Sequence, residues 1–130
     1  MLACVRQGAA QHPAPDPRRS TRAGVYTADQ AAQGRELYAL RCRSCHTPGE
    51  HGATVRAKWS GRALSELFQY LGENMPKDSP GTLTSYENAV ALAYFLQMAG
   101  LPPGNEELPA DSAGLSRIEF DTLATKETKP

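Results

Sequence analysis

Aromatic side chains are scarce in this sequence, at 7% of 130 residues with a single tryptophan. With so little bulk, apolar packing alone builds only a small core, and a staple or prosthetic group is expected to supplement it. An excess of one charge is missing too: 14 Lys+Arg balance 14 Asp+Glu, which argues against a nucleic-acid binder and its need for a basic surplus. No run approaches the eighteen or so apolar residues of a membrane span, and the longest helical stretch, Ala89 to Ala99, is broken by polar side chains. Three cysteines, Cys4, Cys42 and Cys45, are too few for a disulfide scaffold. No repeat is visible and no stretch alternates as a strand, so the expected fold is a single all-α domain.

What is present is unevenly distributed. Between Gln7 and Gly24 lie three prolines, three arginines and no large apolar side chain, a composition that cannot bury enough surface to offset chain entropy. Residues 1–25 are therefore read as a flexible leader or tether, 26–100 as the folded domain, and 101–130 as an irregular tail that packs on the domain or trails from it, with at most a short turn near Pro109 to Leu115.

Three main helices are expected. Thr27 and Gln30 form a capping box, followed by Ala31, Gly34, Leu37, Tyr38 and Leu40 or Arg41 at helical spacing, a stripe that runs into Cys42. Gly34 within it costs about 1 kcal/mol relative to alanine and so calls for a close packing partner. Leu64, Leu67, Phe68 and Leu71 predict a second helix that closes at Gly72 in a left-handed cap. Thr84 and Glu87 make another capping box, with Tyr86, Ala89, Val90, Ala93, Tyr94 and Gln97 or Met98 behind it and Gly100 as the stop.

The chemistry is concentrated in Cys42-Arg43-Ser44-Cys45-His46, a C-x-x-C-H run at the end of the first helix. Two thiols at this spacing suit thioether bonds to the two vinyl groups of one haem, while the adjacent imidazole reaches the iron from one face. The competing readings fare worse. A thioredoxin-like dithiol needs a βαβ context, and zinc needs a second ligand pair where only His51 and the distant His12 and Cys4 are on offer. An iron held by one histidine has a sixth position to fill. Met75 is the candidate, in a loop after the second helix and stiffened by Pro76; the competing reading is plastic core filler, which is the reading for Met98.

With these residues in place the sequence resembles the class I, monohaem c-type cytochromes, especially small bacterial ones, over about residues 26 to 100. The resemblance rests on Gly34-Arg35-Glu36-Leu37-Tyr38, Cys42 to His46, Met75-Pro76, the Pro80-Gly81-Thr82-Leu83-Thr84 turn and Ala91 to Leu96. It implies a cytochrome c-like fold around one haem c, carried by Cys42 and Cys45 with His46 and Met75 as axial ligands. It also implies crossed first and last helices, with Tyr94 or a neighbour against Gly34. Family members usually have a proline after the haem motif whose carbonyl orients the histidine, whereas Gly49 to Trp59 contain none, leaving the acceptor for His46 unassigned.

The function this implies is one-electron transfer between a redox protein donor and acceptor, without substrate turnover and as a monomer when free. One alternative is the haem module of a larger oxidoreductase such as a quinoprotein dehydrogenase; another is a haem sensor or ligand-binding protein. Trp59, Arg56, Lys58 and Arg62 are candidates for contact with haem propionates, against the alternative of a packed indole among solvated charges. His51 and His12 are read as solvent-facing, and Asp78, Glu106 and Glu107 form no carboxylate pair. An extracytoplasmic, periplasmic location follows from the resemblance. Leu2-Ala3-Cys4 resembles the end of a bacterial lipoprotein signal, so Cys4 is a candidate lipid anchor, with a free thiol as the alternative.

Overall fold

The structure, a computed structural model, describes residues 18–122; Cys4 and His12 lie outside that range. Helix α1, Ala28–Arg41, opens on the expected capping box: Gln30 N–H donates to Thr27 Oγ1 at 3.1 Å, and Thr27 N–H to Gln30 Oε1 at 3.2 Å. Helix α4, Ser85–Met98, opens the same way from Thr84. It ends in a Schellman motif, with Gly100 at φ +84°, Leu101 N–H on Leu96 O and Gly100 N–H on Gln97 O, both at 3.0 Å. These two helices cross at Gly34, where an added Cβ would lie 1.8 Å from Val90 O and 2.9 Å from Tyr94 Cβ. The glycine therefore permits backbone-to-backbone approach, and this offsets its propensity cost.

Helix α2, Pro48–Trp59, occupies a stretch that none of the three expected helices covers. Pro48 stands in its first turn, where a missing N–H leaves no hydrogen bond unmade, so proline there starts a helix rather than breaking one. Gly52 lets α2 close on the end of α4, its missing Cβ 3.1 Å from the Cβ and carbonyl oxygen of Met98. Helix α3, Leu64–Asn74, buries Leu64, Leu67 and Leu71, each contributing about 1.5–3 kcal/mol by apolar burial. It runs through Gly72 instead of stopping there, because Gly72 is helical and Met75 N–H still closes on Leu71 O at 3.1 Å.

The termini differ from expectation as well. Arg19–Ser20 forms β1, pairing in parallel with β2, Ile118–Glu119. Thr21 is fully buried, exchanging hydrogen bonds with the backbone of Asp121. The end of the supposed leader is thus built into the fold, through backbone pairing that leaves no alternation in the sequence. The tail contributes a single turn, α5, Ser112–Leu115, and buries Leu108, Leu115, Ile118 and Phe120. Gln30 anchors it: its side chain accepts from Leu108 N–H at 2.7 Å and donates to Leu108 O at 3.1 Å. The all-α class holds, with four main helices among the described residues in place of three.

Candidate functional site

Helix α1 delivers Cys42 at its C-terminal cap, where Cys42 N–H donates to Tyr38 O. The chain then makes one further turn, with Cys45 N–H and His46 N–H both donating to Cys42 O, at 3.1 and 2.9 Å. That turn brings the two sulfurs and the imidazole to one cavity. Cys42 is half-buried, and burial pushes its thiol pKa up against the opposing pull of Arg41, so the sulfur is held as a neutral thiol. Cys45 is exposed, and both cysteines are free of disulfides.

The cavity has a volume of about 440 Å³, and Cys42, Cys45, His46 and Met75 all line it. Leu67, Leu71, Val55, Phe95, Trp59 and Tyr70 supply its apolar and aromatic walls. A smaller hollow of about 260 Å³ adjoins it, sharing Cys45, His46, His51, Trp59 and Met75. A groove of similar size, about 450 Å³, on the outer side of α1 is lined by Ala28, Ala32, Arg35, Glu36, Ala39 and Gln97, without a sulfur or imidazole. Met98, by contrast, packs against the core and over Gly52.

His51 is not solvent-facing. Helix α2 turns it inward, stacked on His46 with ring centres 4.1 Å apart and planes 11° from parallel, and edge-on to Phe95 at 5.0 Å. Burial, and secondarily the neighbouring His46, push its pKa down to about 4. Tyr38 is pushed up to about 12, mainly by burial. At neutral pH both are uncharged, and Tyr38 Oη shares a 2.9 Å hydrogen bond with His51 Nδ1. The helical spacing His51, Val55, Trp59 is the signal that would have revealed this face, had residues 48–59 been read as a helix.

The basic residues divide. Arg56 is committed to the fold, donating to Ala99 O and Thr122 O at 3.2 Å each. Lys58 and Arg62 stay beside the site: Lys58 Nζ lies 4.7 Å over the Tyr70 ring and Arg62 4.2 Å over the Trp59 ring, with the indole itself buried. Glu106 pairs with Arg19 at the surface.

The donor set suits a flat macrocycle: paired thiols beside an imidazole, a thioether on the same cavity, and apolar walls for the ring. Among the described residues no group of three or more His, Cys, Asp or Glu would hold a bare metal ion, so the zinc reading has no complete ligand set. A family model described as cytochrome c oxidase, cbb3-type, subunit III matches residues 29–96, more than half of the chain. The chain belongs to that family. No curated protein and no solved structure matches it. As a c-type cytochrome domain it serves haem-based electron transfer, and the family implies haem c. The matched span runs from the first turn of α1 to the last turn of α4 and encloses Cys42, Cys45, His46, His51 and Met75. No helix among the described residues is long and apolar enough to cross a membrane.

Proposed function

We propose that the chain is a one-electron carrier with a single haem bonded through Cys42 and Cys45, its iron held by His46 and Met75. The observation that carries this reading is the meeting of the C-x-x-C-H turn and Met75 on one apolar cavity. Cys42 and Cys45 would hold the ring through two thioethers, each thiol and its hydrogen adding across one vinyl group with nothing lost. When bound, haem supplies the ferric/ferrous couple that stores one electron. His46 and Met75 would hold the iron, leaving it no place for a substrate, and a Met75 thioether would favour the reduced state. Leu67, Leu71, Val55 and Phe95, which line the cavity, would limit water there and push the potential the same way.

The decisive experiment is the absorption spectrum, oxidised and reduced, of protein matured with a haem-attachment system, together with its mass. Haem that stays with the denatured chain and a ferric sulfur-to-iron charge-transfer band are expected. Met75→Ala should abolish that band and lower the reduction potential; an unchanged spectrum would mean that another group is the ligand. Rapid carbon monoxide binding by the reduced wild type would favour a sensor instead.

The partners in this reading are extracytoplasmic redox proteins, in the periplasm, with the protein itself monomeric when free and tethered if Cys4 is lipidated. Mass spectrometry of native material reads the state of Cys4 directly. A second reading, the haem subunit of a larger oxidoreductase, is favoured by the description of the matching family as an oxidase subunit; copurification with a catalytic subunit would select it over the free carrier.

A further inference from the structure

We infer that Arg41 is a positioning residue for the loop that carries Met75, pinning it to the helix that carries the haem thiols. The inference rests on Met75 being the sulfur ligand. Arg41 is the last residue of α1, next to Cys42, and lines the same cavity as Met75. Its guanidinium Nη2 donates to Thr82 Oγ1 at 2.9 Å and lies 3.4 Å from Ser79 Oγ. Thr82 Oγ1 in turn donates to Ser79 O at 2.8 Å, and Ser79 N–H to Pro76 O at 3.0 Å. Residues 76–82 thus fold into a closed turn whose hydroxyl oxygens face one guanidinium nitrogen of Arg41. On its other side the loop is continuous with α3 through Met75 N–H on Leu71 O.

The consequence is mechanical. A methionine sulfur is a weak donor on a flexible side chain, so its occupancy of the iron depends on how often its loop swings away. Arg41 makes no ion pair among the described residues, leaving its donors for the loop. Because Arg41 and Cys42 are adjacent, the same contact fixes the loop relative to the attachment point and not merely to the protein body. Lysine has the charge, but as a compact, strongly hydrated ammonium on a flexible stem it holds the two hydroxyls less firmly.

The test is imidazole titration of the ferric holoprotein, in which an added ligand binds only when Met75 has left. Freeing the loop raises the open fraction and tightens apparent imidazole binding in proportion, by about three- to tenfold for loss of a charge-assisted hydrogen bond at a partly exposed site. Arg41→Ala and Thr82→Val should each give this increase, the double variant no more than the larger single effect, and Arg41→Lys a partial return. The sulfur-to-iron band should persist in all of them at low temperature and fade earlier on warming than in the wild type. Unchanged imidazole affinity in Arg41→Ala, or additive effects in the double variant, overturns the clamp while Met75→Ala still abolishes the band. If Met75→Ala leaves the spectrum unaltered, the ligand assignment fails and the clamp with it.

Discussion

A methyl group at residue 34 would sit 1.8 Å from the carbonyl oxygen of Val90, an atom of the α4 backbone that cannot yield without shifting the helix. Gly34→Ala should therefore destabilise the protein by about 3 kcal/mol or more, well beyond the gain in helix propensity. A lower denaturant midpoint with haem still bonded is the expected result, and stability equal to wild type would show that the helices separate easily. At this scale the sequence is informative where the chemistry is contiguous. Cys42, Cys45 and His46 announce themselves by spacing, and Gly34 by being a glycine in a helical stripe. His51 and Arg41 give no such notice. His51 acquires its meaning from Tyr38, thirteen positions away, and Arg41 from Thr82, forty-one positions away; distances of that kind are products of the fold.

The starts of α1 and α4 were legible for the same local reason. The capping boxes at Thr27 and Thr84 are complete within four residues, and both helices start where those boxes place them. Helix α2 was hidden because Pro48, Gly49 and Gly52 look like interruptions and because only His51, Val55 and Trp59 mark its inner face. Gln30 illustrates how one element serves another: it caps α1 and also satisfies both backbone groups of Leu108. Gln30→Ala should cost about 2–4 kcal/mol, the sum of a weakened cap and buried backbone groups left unpaired. Thermal unfolding read by far-UV circular dichroism measures it, with Thr84→Ala, which loses only a cap, expected near 1 kcal/mol. Equal losses in the two variants would mean that the Leu108 contacts contribute nothing.

Across the whole molecule, the scarcity of aromatic residues finds its counterpart in the cavity of about 440 Å³ at the centre of the site. Unfilled, it leaves Leu67, Leu71, Val55 and Phe95 without packing partners on one side, a loss of contacts that a small, marginally stable domain can ill sustain. Cys42→Ser with Cys45→Ser, which cannot bond the ring, should therefore yield a chain with little cooperative unfolding; a sharp thermal transition without haem would show that the surrounding helices close the gap themselves. The arrangement of the ends was the least legible feature, because parallel pairing of two-residue strands a hundred positions apart leaves no pattern in either.

That pairing sets how the body hangs. Ser20 and Thr21 bond directly to Asp121, so whatever continues before residue 18 and whatever continues after residue 122 emerge from the same pole. A contact made at either boundary of the described residues therefore meets the cytochrome at the same place on its surface.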